Sequence, residues 1–169
     1  DGVIQRLDWP SIEINLLEQE GQRPLLLLHG PEPDHEWKSF AHSVVKVATE
    51  LNVGLVVGLG SYPAAVPHTR PTRIACTAST PELVAKLEFV TATLEIPAGI
   101  QASIEVAAAA AGIPAIGIWA QVPHYLSATG FPPATMALLE GFTELTGIPI
   151  ELGSLVEKSL ATRSRLDDL

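Results

Sequence analysis

Two stretches of the sequence contain the same tripeptide directly after an apolar run. Val-Pro-His occupies 66–68, where it continues into Thr69 and Arg70, and returns at 122–124, where Tyr125 follows. Imidazole moves protons near neutral pH, guanidinium binds phosphate, and a phenol ring can stack on a base. These residue types therefore suit a site for a phosphate or a nucleoside. The elements that would carry them decide whether they can meet.

Apolar periodicity alternates between strand and helix along the chain. The first two strands are predicted to form an antiparallel pair with the first at an edge of the sheet. The second strand is apolar throughout and is predicted to be buried on both faces. Asp34 is predicted to cap the first long helix, and Ser154 with Glu157 to form a capping box for the last. Predicted strands are 11–17, 24–29, 53–60, 73–78 and 115–122, and predicted helices begin near 34, 80, 99, 132 and 154.

This alternation predicts one α/β domain over 1–169, with a mixed, mostly parallel sheet and helices on both faces. In such a sheet, loops at the carboxyl ends of parallel strands share one edge, where ligands bind. Proline fixes its own φ and keeps the preceding valine extended, so each Val-Pro-His would place its histidine rigidly. The candidate ligand-binding rim consists of His29, Asp34, Gly58, Gly60, Ser61, His68, Thr69, Arg70, His124 and Tyr125.

Each member of this rim also has a simpler explanation. A histidine after a strand is commonly a hydrogen-bonded loop residue, and Gly58 to Ser61 could be a tight turn instead of an anion-binding loop. Arg70 and Arg73 could bind phosphate or pair with surface acids. The expectation of a site rests on convergence at one edge, and no catalytic residue is assigned.

Metal and nucleophile chemistry are disfavoured. His29, His68, His124 and Asp34 are suitable zinc ligands, but the sequence has no short His-x-x-x-His spacing. Cys76 lies inside an apolar strand, and no Gly-x-Ser-x-Gly elbow occurs. We therefore expect no metal and no cofactor.

Composition narrows the function classes further. The formal charge of −9 argues against nucleic-acid binding, and no apolar run is long enough to span a bilayer. A single cysteine and the lack of a signal-peptide pattern predict a cytoplasmic protein. The first residue is Asp1 rather than methionine, which predicts a fragment of a longer protein.

Three phrases in combination resemble the proteasome assembly chaperone 2 family, in its actinobacterial and archaeal branch. They are Gly-Pro-Glu-Pro-Asp at 30–34, Val-Pro-His-Thr-Arg-Pro at 66–71 and Val-Pro-His-Tyr at 122–125, and the similarity runs from about Leu25 to Ser154. The resemblance implies a fold similar to the nucleoside phosphorylases, homo-oligomeric assembly and proteasome-related partners. It also implies a longer N-terminal portion, which this sequence lacks, and it brings no catalytic residue set.

Two functions follow from these observations. The first is a non-enzymatic, homo-oligomeric interaction protein of the assembly-chaperone type, which the resemblance and the unpaired edge strand favour. The alternative is a nucleoside or phosphate binder, or a nucleoside phosphorylase- or hydrolase-like enzyme, that uses the strand-end rim. The first is preferred because no pair of rim residues is diagnostic of a reaction.

Overall fold

The computed structural model describes residues 2–3, 5–18, 21–85 and 98–168. The chain divides into two compact units, Asp1–Glu36 and Trp37–Leu169, which are described separately. No helix in the described part of the chain is long and apolar enough to cross a membrane.

The first unit contains a two-stranded ribbon of β1 (Glu13–Leu17) and β2 (Leu25–His29). The strands are antiparallel, with Ile14 opposite Leu28 and Leu16 opposite Leu26, which confirms the predicted pairing. The predicted burial of β2 on both faces is wrong, because Leu27 is exposed and β1 is exposed throughout. A ribbon of two strands has too little surface to cover its own aliphatic side chains.

The second unit contains a three-stranded sheet in the order β3-β5-β4. Its strands are β3 (Val56–Ala64), β4 (Ile74–Ala78) and β5 (Ala115–Pro123). β3 and β5 are parallel, whereas β4 runs antiparallel to β5. The prediction of a mixed sheet is confirmed, but "mostly parallel" is wrong. Only the short segment 65–73 joins β3 to β4, whereas a return to a parallel neighbour takes a crossover of about a dozen residues or more.

Helices pack on both sides of this sheet. They are α1 (Trp37–Glu50), α2 (Pro81–Val84), α3 (Ile100–Ala110), α4 (Pro132–Thr146) and α5 (Leu155–Asp167). Neighbouring residues of β5 point to opposite faces, so Ala115 packs with the α1 and α3 residues Val45 and Ala108, while Ile116 packs with Leu145 of α4. Ala108 is fully buried, and its small side chain lets α3 pack closely against α1 and β5.

Both predicted N-terminal caps are wrong in detail. α1 begins at Trp37, and Asp34 lies in a bend separated from it by Glu36, whose φ is 59°. Ser154 precedes α5 but makes no side-chain capping bond, because its backbone is already helical at φ −66° and ψ −6°. α4 ends at Gly147, whose left-handed φ of 72° is a conformation that glycine adopts readily. The later part of the helix predicted from 80 falls outside the described residues.

Candidate functional site

The two Val-Pro-His segments leave the sheet at the same end. β3 and β5 are parallel and in register, with Pro63 opposite Val122 and Ala64 opposite Pro123. The first segment continues from β3 into the loop 65–73, and the second leads directly into a single 3-10 turn, His124–Leu126. This geometry brings residues 57 positions apart in the sequence into contact.

Tyr125 is the point where the segments meet. Its hydroxyl accepts a hydrogen bond from the His68 backbone N–H at 2.9 Å and lies 2.8 Å from His68 Nδ1. The His124 ring packs edge-on against the same phenol ring, with centroids 5.4 Å apart, and the His68 ring does so at 6.1 Å. Both imidazoles therefore flank one aromatic side chain.

His68 also reaches the C-terminal helix. Its Nε2 lies 3.1 Å from Oδ1 of Asp167, at the end of α5. With the proton on Nε2, the ring donates to Asp167 and Nδ1 accepts from the Tyr125 hydroxyl, so both ring nitrogens are occupied. The His68 side chain is 19% exposed, against 58% for Asp167. This arrangement joins the loop, the 3-10 turn and α5, and it suits a structural connection better than proton transfer to a ligand.

The remaining loop residues line an open recess beside this connection. Thr69 is exposed in the loop, whereas Arg70 and Arg73 line the recess together with the half-buried Thr72 and Gln121. Neither arginine pairs with a carboxylate of any described residue. The sequence alone left surface ion pairing open for both arginines.

Gly58, Gly60 and Ser61 do not form the predicted loop. They lie within β3, in register with Gly117, Trp119 and Ala120 of β5. A Cβ at Gly58 would meet the carboxamide of Gln101, and one at Gly60 would come within 2.5 Å of the Trp119 ring. The prediction of an anion-binding loop is therefore wrong, because these glycines make room on the sheet for side chains from α3 and β5.

His29 and Asp34 belong to the first unit. His29 Nε2 lies 2.7 Å from Nδ2 of Asn15 and 3.9 Å from Oε2 of Glu13, so the imidazole forms part of the polar end of the ribbon. Asp34 is exposed in the bend before α1. Both residues belong to Asp1–Glu36, which is described separately from the unit that carries the Val-Pro-His segments.

A polar cluster around one carboxylate, which the sequence patterns did not predict, lies on the α3 side of the sheet. Glu105 accepts hydrogen bonds from Thr77 Oγ1 at 2.8 Å and from Gln101 Nε2 at 3.0 Å. Trp119 Nε1 in turn donates to Thr77 Oγ1 at 3.2 Å. Burial raises the pKa of Glu105, and the two donated hydrogen bonds partly oppose that rise. The signal available in the sequence was a glycine in each of two predicted strands, Gly58 and Gly117. These glycines lie opposite each other and leave room for the side chains of Gln101 and Glu105.

The other reactive groups of the described residues give no further site. Cys76 is half-buried, and burial raises the pKa of its thiol, which disfavours the nucleophilic thiolate. Among the residues that the structure describes, no group of three or more His, Cys, Asp or Glu side chains could hold a metal ion.

Comparison with known proteins decides the family. The PAC2 family profile matches residues 1–169. The chain belongs to the PAC2 family. This confirms the resemblance that the three sequence phrases indicated.

Solved structures of PAC2 proteins and their homologues agree with the fold. A PAC2 family protein from Streptomyces avermitilis is 36% identical, with a TM-score of 0.89 over 100% of this chain and 73% of its own. A proteasome-assembly chaperone homologue from Mycobacterium tuberculosis is 33% identical, with a TM-score of 0.90 over 99% of this chain and 72% of its own.

A second Mycobacterium tuberculosis protein, of unknown function, is 32% identical, with a TM-score of 0.87 over 95% of this chain. The PAC2 chain described here spans 55% of the length of that relative. No curated protein matches this sequence.

Proposed function

We propose that this chain is a non-enzymatic, self-associating interaction protein of the assembly-chaperone type, with proteasome-related proteins as partners. The observation that carries the proposal is the exposed aliphatic surface of the β1–β2 ribbon, in a chain whose relatives include a proteasome-assembly chaperone homologue. The proposal includes a cytoplasmic location, which stays a prediction from the single cysteine and the lack of a signal-peptide pattern. It also includes a fold similar to the nucleoside phosphorylases, which stays a prediction from the family resemblance.

The ribbon carries aliphatic side chains on both faces. Ile14 and Leu16 lie on one face with Leu26 and Leu28, whereas Leu27 projects from the other. Leu16 is 57% exposed and Leu27 is 46% exposed. Covering aliphatic side chains clustered in this way with another surface lowers the free energy. Such a cluster is therefore typical of a protein contact.

The outer edge of β1 offers a second means of association. Its sequence, Glu-Ile-Asn-Leu-Leu, contains neither proline nor lysine, the residues that commonly protect an edge strand from pairing. An added strand would satisfy the main-chain donors and acceptors of this edge and extend the aliphatic faces at once. Face packing and edge pairing thus both favour a protein partner.

The polar residues of the second unit support a non-enzymatic role. His68, the residue best placed for proton transfer, has both ring nitrogens bonded to protein groups. A general base must instead reach the proton that it removes from a substrate.

Light scattering at micromolar concentration tests self-association. We expect the parent chain to exceed the monomer mass, and Leu16→Lys and Leu27→Lys to weaken the association about tenfold or more, since a buried lysine charge is costly. Leu160→Lys is the matched control, because Leu160 is 65% exposed on α5. A monomeric parent, or equal weakening by all three substitutions with circular dichroism unchanged, would refute the self-association proposal.

Co-expression with actinobacterial proteasome α-subunits tests the partner. We expect the parent chain to copurify with the α-subunits in defined stoichiometry, and the two ribbon variants to lose them. If Leu27→Lys retained the α-subunits at the parental level, the ribbon would not be the surface that contacts the partner. If the parent chain did not bind the α-subunits, the proposal of a proteasome-related partner would be wrong.

A further inference from the structure

The recess beside the His68 loop combines cationic and neutral hydrogen-bond donors. It is lined by Arg70, Thr72, Arg73 and Gln121, with prolines and Phe131 as its apolar walls. We propose that this recess binds a single phosphate group, either as the free anion or as a phosphate monoester.

Unpaired arginines are the first support for this proposal. The chain carries nineteen acidic residues and ten basic ones, so carboxylates greatly outnumber the available cations. Yet no described residue places a carboxylate in an ion pair with Arg70 or Arg73. The nearby Asp167 is bonded to His68 instead. The two guanidinium groups, which no carboxylate of the described residues pairs with, are available for an exogenous anion, and their planar fork matches phosphate oxygens.

The loop is held in a fixed conformation before any ligand arrives. Its prolines at 67 and 71 restrict the backbone on either side of Arg70, and the Arg70 N–H closes a turn on the Pro67 carbonyl at 3.3 Å. His68 fixes the same loop to Tyr125 and Asp167. A preordered loop loses less conformational entropy on binding, which increases affinity.

Neutral donors complete the recess. Gln121 is fixed by the hydrogen bond from its Nε2 to the Tyr62 hydroxyl at 3.0 Å, and its backbone N–H bonds to the Arg73 carbonyl at 2.9 Å, which sets Arg73 beside it. Thr72 adds a hydroxyl donor. Arginine forks together with a hydroxyl can satisfy the several oxygens of one tetrahedral anion.

The recess is shallow and open to solvent, so its lining contacts a ligand from one side only. A phosphate group would bind at its mouth, between the loop and Gln121, and the rest of a larger ligand would stay in solvent.

Calorimetric titration with inorganic phosphate at constant ionic strength tests the site. We expect saturable binding to the parent, and Arg70→Gln and Arg73→Gln should each weaken it about tenfold or more. Arg70→Lys should fall between, because lysine keeps the charge and loses the fork. Lys158→Gln removes one positive charge near the start of α5, about 14 Å along the helix from Asp167, and should leave binding unchanged.

A second titration distinguishes the two sources of phosphate. Phosphoserine binding at least as tightly as inorganic phosphate would indicate a monoester ligand, whereas binding of inorganic phosphate alone would indicate the free anion; both outcomes support the site. Absence of saturable phosphate binding in the millimolar range, or equal weakening by Lys158→Gln, would overturn it.

Nuclear magnetic resonance keeps the test independent of variant folding. Phosphate should shift the Gln121 side-chain amide and the Thr72 backbone amide of the parent chain, and shifts confined to other residues would contradict the proposal. This inference does not depend on the proposed assembly function, because the ribbon and the recess belong to different units.

Discussion

The Tyr125 hydroxyl binds two groups of a residue 57 positions earlier in the chain, the backbone N–H and the Nδ1 of His68. The contact fixes the loop between β3 and β4 to the turn that follows β5. Through the other ring nitrogen of His68, it extends to Asp167 in the last turn of α5.

Tyr125→Phe should lower the free energy of unfolding by about 1 kcal/mol, because it removes the hydroxyl and leaves the His68 N–H without its protein partner. The aromatic ring, and its packing against both imidazoles, would remain. Urea unfolding followed by fluorescence measures the change. His124→Ala is the control, since His124 is exposed and contacts Tyr125 only through its ring edge; a control loss as large as that of Tyr125→Phe would contradict the prediction.

A double-mutant cycle on His68→Ala and Asp167→Ala should give a coupling free energy of about 0.5 to 1 kcal/mol, the range of partly exposed polar pairs. Asp167→Ala should also speed amide hydrogen exchange in the last turn of α5, because the helix end loses its connection to the loop. Strictly additive effects on unfolding, with unchanged exchange, would show that the contact contributes nothing.

Much of the fold was predictable because hydrophobic periodicity is a local property. The strands and helices each carry their own pattern, and the antiparallel ribbon follows from two apolar runs separated by a short polar turn. The common exit of the two Val-Pro-His segments also follows, once β3 and β5 are taken as parallel. The reversed direction of β4 could have been predicted from the short segment between 64 and 74.

The details of the site depend on tertiary contacts that no local pattern records. The Asp167 partner of His68 is 99 residues away, and its position depends on where the last turn of α5 ends. Gly58 and Gly60 resemble a turn in sequence, since glycine often ends a strand. In the structure they lie in β3, where Gln101 and Trp119 occupy the space that larger side chains would fill.

Gly117→Ala tests this close packing. The new Cβ would clash with Glu105 Oε1 and come within 2.7 Å of Thr77 Oγ1 and 2.8 Å of Gln101 Nε2. We expect the free energy of unfolding to fall by about 1 to 3 kcal/mol, as is usual for overpacking. Gly130→Ala, where a Cβ has no neighbour within 4 Å, should change it by less than about 0.5 kcal/mol.

Repeating Gly117→Ala in a Glu105→Ala background tests whether its cost comes from the contact with Glu105. Glu105→Ala removes the carboxylate that the new methyl group would meet, so Gly117→Ala should cost less in that background than in the parent. An equal cost in both backgrounds would place the strain elsewhere.

Glu105→Gln should change how stability depends on pH. Burial raises the pKa of Glu105 in the folded protein above its ordinary value of 4.5, so the folded state favours the protonated form. The stabilisation from this group is therefore fully present below the unfolded-state pKa, and it is lost as pH rises through the higher folded-state pKa. The uncharged glutamine does not suffer this loss. The stability of Glu105→Gln relative to the parent should accordingly improve as pH is raised from 4.5 through the titration range.

Urea unfolding at several pH values measures this difference, with Glu140→Gln on the exposed side of α4 as the control for net charge. A parent and a Glu105→Gln variant whose stabilities differ by the same amount at every pH would show that burial does not perturb this carboxyl group.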